Sequence, residues 1–359
     1  MKRRSERTRG PAGTGRGAPG IRAPRQRRRR VLVIVVIAVV IALIVALVMA
    51  VSAVQRWVFS ATAASPAVGT VILAPPLSKA RLALDESGLD AAQREATEYL
   101  SQQPTAYWLT PEQDPPGRAG RTVSALTSAA RDQDVSLALV IYGLPGRDCG
   151  NHSAGGLSDG EYRRWIDEIA TALGAAPDVQ KIVVLEPDSL ALAPQCDNVA
   201  ERAAQLRDAV DRLQVARTWI YLDGGHSSWL SPSEMADLID RVDVAGRVRG
   251  FATNVSNYQS TYDEFAYAHA VAAELDGMHA IVDTSRNGVA SAGSEWCNPP
   301  GQRVGDPGGT YGDDVIDTNL WIKPPGESDG PCQGGPAAGV WWPQAAQTLA
   351  ADVLASDAE

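Results

Sequence analysis

From about residue 71 to the carboxyl terminus, short apolar runs rich in β-branched and aromatic residues alternate with longer segments of helical period. Seven such runs stand out, at 106–109 (AYWL), 137–142 (LALVIY), 182–185 (IVVL), 219–222 (WIYL), 250–253 (GFAT), 280–283 (AIVD) and 320–323 (LWIK). Between them, segments such as 158–173 and 198–213 repeat apolar residues at spacings of three and four. Short apolar runs read as strands and the longer periodic segments as helices. Their steady alternation predicts an α/β fold in which seven parallel strands, joined by helices, curl into a distorted, TIM-like barrel.

A different pattern precedes this body. The stretch 31–54, VLVIVVIAVVIALIVALVMAVSAV, carries no charge. As a helix it would rise about 36 Å, enough to cross a bilayer. The 30 residues before it hold 12 Lys or Arg against one acid and end in four arginines at 27–30. The expected organisation is therefore a basic disordered tail at 1–30, a transmembrane helix at 31–54, a linker at 55–70 and one catalytic domain at 71–359. The excess of positive charge before the span places the tail in the cytoplasm and the body outside, with a lipid bilayer as partner. The alternative is secretion after cleavage near residue 63, where SATAAS offers small residues to a peptidase.

The whole chain has a net charge of −9 in spite of its basic start, so the body is strongly acidic. That argues against a nucleic-acid partner, whose capture rests on basic contacts, and favours a neutral substrate. The four cysteines, Cys149, Cys196, Cys297 and Cys332, allow three pairings. Outside the cytoplasm they are expected in disulfides, and nearest-neighbour pairing is the simplest arrangement. Neither they nor the four histidines show metal-ligand spacing, so no metal or other cofactor is expected.

Uncommon polar residues gather just after the strands: PGRDCGNHSAGG, EPDSL, DGGHSSWL, NVSNY, DTSRNG and KPPGESDG follow runs two to seven. In a parallel barrel those ends share one face, where side chains from separate strands can surround a ligand. Asp148, Asp188, Asp223, Glu327 and Asp329 all lie there. A lone Asp after a strand is most often a cap or turn former. Five acids on one rim suit cleavage of a glycosidic bond, which needs one protonated carboxyl and a second carboxylate. Asp188, beside Glu186 at the end of an apolar strand, is expected to keep its proton. Asp148, flanked by Arg147, is expected to be its ionised neighbour. Trp108, Tyr142, Trp229 and Trp296 stand near strand ends, where sugar rings could stack on them.

The ordered segments VIYGLPGRDCGNHSAGG, VVLEPDSL, YLDGGHSSWL, FATNVSNY, DTSRNG, EWCN, LWIKPPGESDG and GVWWP resemble the successive motifs of glycoside hydrolase family 6. The resemblance spans residues 70–359. It implies a distorted seven-stranded barrel and hydrolysis of β-1,4-glucan with inversion. It further implies Asp188 as general acid, Asp148 as the residue that raises the acid's pKa and directs water, and Asp329 as the residue often assigned as base. Tyr142 matches the tyrosine that crowds the sugar at the cleavage point. Trp108, Asp223, His226, Trp229, Asn254, Trp296, Lys323 and Glu327 match positions that line the glucan subsites, and the cysteines match the family's two disulfides. One departure is Ala154, in the sequence Ser153, Ala154, Gly155, where many members carry serine.

These residues are compatible with three kinds of function. An endo-acting glucanase fits the retained acids and the absence of long insertions that would roof a cleft; an exo-acting cellobiohydrolase is the variant with a roofed cleft. A non-catalytic glycan-binding protein on the same scaffold would be favoured by a lost acid. A serine esterase would need its nucleophile on a strained strand-to-helix turn, whereas Asp223, His226 and Ser227 are continuous sequence after one strand.

Overall fold

The computed structural model describes residues 24–61, 63–150, 155–289 and 295–356. Residues 1–23 of the basic tail, and Ser153 and Ala154 in the loop after Asp148, lie outside the described residues. Two units are separable, 1–55 and 56–359. Helix α1, Pro24–Ala61, extends past the apolar stretch on both sides, so the arginines before it and the first part of the expected linker are helical. The most apolar 18-residue window within 29–51 has a mean hydropathy of 3.8, and the described side chains of 29–51 are exposed. Residues 63–70 have no regular structure, but Gly69 N–H donates to the Gly309 carbonyl at 2.8 Å, tying the end of the linker to the body.

The body starts with α2 (Lys79–Ala83) and α3 (Ala91–Ser101). Next come β1 (Tyr107–Leu109), α4 (Ala119–Asp132), β2 (Leu137–Ile141), α5 (Asp159–Gly174) and β3 (Lys181–Leu185). They are followed by α6 (Ser189–Leu192), α7 (Val199–Arg212), β4 (Thr218–Asp223), α8 (Pro232–Val242) and β5 (Gly250–Thr253). The chain ends with α9 (Thr261–Ala272), β6 (His279–Asp283), β7 (Ile316–Leu320) and α10 (Pro343–Ser356). Local chemistry marks the helix starts: Asp90 and Gln93, Ser158 and Glu161, and Ser231 and Glu234 each form a capping box, satisfying amides that open a helix without partners.

All seven strands are parallel and lie in chain order, β1 to β7, in a sheet curled into a half-barrel. The two edges approach at a seam. There the Ala106 N–H donates to the Trp321 carbonyl at 2.9 Å, and the Trp108 indole donates to the Ile322 carbonyl at 2.8 Å. Strand alternation divides the core into two layers. Leu137, Leu139 and Ile141, with Val183, Leu185, Leu222 and Phe251, face the surrounding helices. Ala138, Val140, Ile182, Val184, Tyr221, Ala252 and Ile281 fill the interior.

The seventh strand corrects the sequence reading, which put it at 320–323. It is Ile316–Leu320, and all five of its residues are buried. Its polar middle disguises it, because period and apolarity are what mark a strand in sequence. Asp317 accepts from Arg249 at 2.6 and 2.8 Å and from the Tyr221 hydroxyl at 2.6 Å. Asn319 bonds Thr284 Oγ1 at 2.8 Å and accepts from the amides of Thr310 and Tyr311. Polar groups tolerate burial when partnered in this way.

Candidate active site

The interior rows continue past the strand ends, and this places the functional side chains. Ala106 leads to Trp108, Val140 to Tyr142, Tyr221 to Asp223 and Ile281 to Asp283, each two residues on and therefore on the same face. After β3 the backbone turns sharply, with left-handed φ at Glu186 (52°) and Asp188 (66°); Asp148 and Cys149 after β2 have φ of 53° and 51°. Such conformations are strained for residues other than glycine and gather at functional sites.

Asp188 is half-buried. Crowding by protein atoms raises its proton affinity well above the usual carboxylate range, and the charges of Asp223, Asp148 and Asp329 add to this while Lys323 opposes it. Asp223 is buried, accepts the Asp188 N–H at 3.0 Å and the Gly225 N–H at 2.7 Å, and is itself pushed up to about 6 by burial. The carboxylate that acts most strongly on Asp188 is thus Asp223. Glu186, the neighbour expected from sequence, instead accepts the amides of Gly143 and Leu144.

Asp148 is buried and accepts the Tyr142 hydroxyl on Oδ2 at 2.5 Å; its Oδ1 has no hydrogen-bond partner among the described residues. Burial, then Asp148 and Asp188, drive the Tyr142 hydroxyl well above its usual range, so it stays a donor. Arg147 donates to the Tyr142 carbonyl at 2.8 Å and to Glu112 at 2.9 Å, and its guanidinium lies 4.2 Å above the Tyr142 ring. Trp108 meets Tyr142 edge-on at 5.5 Å, and the Lys323 ammonium stands 4.9 Å over the Trp108 ring.

Asp329 is held by Arg286 at 2.9 and 3.0 Å, by the Tyr258 hydroxyl at 2.7 Å and by the Asn298 N–H at 3.1 Å. Asn298 is next to Cys297, which bonds to Cys332; Cys149 bonds to Cys196. Both disulfides therefore follow the nearest-neighbour pairing. Lys79 reaches Glu327 at 3.0 Å. His226 accepts the Ser228 N–H on Nδ1 at 3.3 Å, and burial lowers its pKa to about 4, leaving the ring neutral. Its ring lies 5.6 Å from that of half-buried Trp229, while Trp296 is exposed beside Cys297. Asn254 has no exposed surface: its amide spans Gln259 and the Asp283 carbonyl.

Sequence reasoning missed Arg286, Tyr258 and Asp283. Asp283 is buried and accepts the amides of Ser256, Ser285, Ile322 and Lys323, fastening the loops after β5, β6 and β7 together. The signal was available, since Asp283 ends an interior row as Asp223 does. Arg286 carries no such signal.

Residues 73–353 match the family described as Glycosyl hydrolases family 6. The chain belongs to that family. It is 41% identical over 265 residues to endoglucanase A of Cellulomonas fimi, covering 74% of this chain and 57% of that protein. It is 43% identical over 244 residues to endoglucanase 1 of Streptomyces sp. (strain KSM-9), covering 66% of this chain and 67% of that one. Among solved structures, an endoglucanase of Mycobacterium tuberculosis in complex with methyl-cellobiosyl-4-deoxy-4-thio-β-D-cellobioside superposes with a TM-score of 0.72 at 37% identity, covering 81% of this chain and 99% of that one. The family 6 assignment agrees with the seven-stranded half-barrel.

Proposed function

We propose that this family 6 protein hydrolyses β-1,4-glucosidic bonds in cellulose or a related β-glucan, with inversion and by internal cuts. The observation that carries the reading is Asp188, half-buried just past the end of β3 and beside the carboxylates of Asp223, Asp148 and Asp329, whose charges together with burial favour its protonated form. Asp188 gives that proton to the glycosidic oxygen as the bond from the anomeric carbon breaks. Water attacks the anomeric carbon from the opposite face, and the proton it sheds passes through a further water to Asp148. Asp329, already accepting from Arg286, Tyr258 and Asn298, serves as a fixed charge. Tyr142 crowds the sugar at the point of cleavage, and Trp108, Trp229 and Trp296 offer ring faces along the cleft. Asp223, His226, Lys323 and Glu327 supply polar contacts, and Asn254 shapes the wall from behind.

The substrate class is supported by the cello-oligosaccharide analogue in the Mycobacterium tuberculosis endoglucanase complex. Internal cleavage is supported by the endoglucanase names of the relatives at 41% and 43% identity. NMR of the first product from cellohexaose tests the reaction: the α-anomer is expected, and a β-anomer or no product overturns it. With carboxymethylcellulose, viscosity should fall faster than reducing ends appear; parallel curves would make the action exo.

Helix α1 is proposed as a retained anchor with the basic tail in the cytoplasm and the body outside. Carbonate extraction should leave the protein with the membranes. Release as a soluble body would favour cleavage near residue 63.

A further inference from the structure

Glu186 and Arg202 lie outside the group around Asp188, yet both converge on the loop that carries Asp148. Glu186 is fully buried, and its carboxylate accepts the Gly143 N–H at 3.1 and 3.0 Å and the Leu144 N–H at 3.0 Å. Arg202, from α7, donates to the Pro145 carbonyl at 2.9 Å and to the Gly146 carbonyl at 3.3 Å. Burial disfavours the Arg202 charge, and Glu186 is the strongest charge that restores it. Along four consecutive residues, the Gly143 and Leu144 amides are thus held by the Glu186 carboxyl and the Pro145 and Gly146 carbonyls by the Arg202 guanidinium. Charge-assisted hydrogen bonds of this kind are stronger than neutral ones.

What they hold is strained. After Arg147 come Asp148 and Cys149, both left-handed, a conformation strained for residues other than glycine. Beyond them the Cys149–Cys196 disulfide ties the loop to the segment after α6. Glu186, Arg202, Asp148 and Ser189 line one small cavity behind that loop. Asp148 is therefore gripped on both sides, by the Glu186 and Arg202 contacts before it and the disulfide beside it.

We infer that Glu186 and Arg202 are positioning residues that hold Asp148 where it acts on Asp188 and on the attacking water. This rests on the roles proposed above for Asp148 and Asp188. The reason is geometric: displacement of a reacting group by about 1 Å can cost on the order of 100-fold in rate. Glu186→Gln keeps the volume but turns one accepting oxygen into an N–H donor facing backbone N–H groups.

The test is a double-mutant cycle of Glu186→Gln with Asp148→Asn, reading kcat and KM on cellohexaose together with thermal stability. Glu186→Gln alone should lower kcat about 10- to 100-fold with KM within about two-fold. In the Asp148→Asn background the same change should cost less than about three-fold, because the group being positioned is gone. A folded Glu186→Gln protein with unchanged kcat overturns the inference, as does an equal loss in both backgrounds. If Asp148→Asn alone leaves kcat intact, the role of Asp148 falls and the clamp's role with it. Should Glu186→Gln fail to fold, Arg202→Lys replaces it. That variant keeps the charge but loses the planar fork that reaches the two carbonyls from separate nitrogens, so it should lower kcat with KM retained, and unchanged kcat overturns the inference.

Discussion

Arg286 donates from a fully buried position to both carboxylate oxygens of Asp329, at 2.9 and 3.0 Å. The Tyr258 ring lies 4.3 Å from that guanidinium, and its hydroxyl donates to the same carboxylate. A carboxylate occupied in this way has little room left to accept from an attacking water, and for that reason Asp148, reached through water, is the proposed base.

The Arg286 pair makes Asp329 a structural charge as well as an electrostatic one. Asp329→Asn should destabilise the protein by about 3–5 kcal/mol, because a buried cation loses its partner. Denaturant unfolding measures this. Unchanged stability combined with lost turnover would return Asp329 to the role of base.

Asp188→Ala should lower turnover on polymer by about 100- to 10,000-fold, the range expected for a lost general acid. A substrate with an acidic leaving group, which needs less protonation, should lose far less. Equal losses on the two substrates would remove Asp188 from the donor role.

The alkaline limb of the rate profile should report the Asp188 proton. The acid is active below its raised pKa and is lost as pH rises through it, so removing a neighbouring negative charge should move the limb to lower pH. Asp223 acts on Asp188 more strongly than Asp148 does, so Asp223→Asn should shift the limb further than Asp148→Asn. Profiles of kcat against pH check the order. A limb unmoved by both substitutions would mean that another group controls it.

Stability should fall as pH rises from about 4.5 to 7. Burial lifts Glu264, which anchors the His226 loop through the Ser227 N–H at 2.8 Å, to about 7. The folded state therefore binds this proton more tightly than the unfolded chain. Its contribution is complete at acidic pH and is lost as Glu264 ionises, on the order of 3 kcal/mol across the window. Glu264→Gln should flatten the decline in melting temperature over this range. Asp223 and Glu186 titrate with the same sign, so part of the slope should remain. A slope identical to that of the parent would show that Glu264 does not titrate there.

The sequence alone determined the order and direction of the elements and the gathering of acids at one end of the strands. It could do so because strand period and turn chemistry are local properties, carried by residues close together in the chain. Six strands were legible on that basis, whereas β7 was hidden because Asp317, Thr318 and Asn319 are buried through partners far away in sequence. Only the tertiary structure decided which carboxylate crowds Asp188, replacing the adjacent Glu186 with Asp223 from the next strand. It also decided that Asp329 is tied to Arg286, 43 residues away, and to Tyr258, 71 residues away. Electrostatic roles of this kind depend on distance and burial in space, and sequence spacing does not encode either.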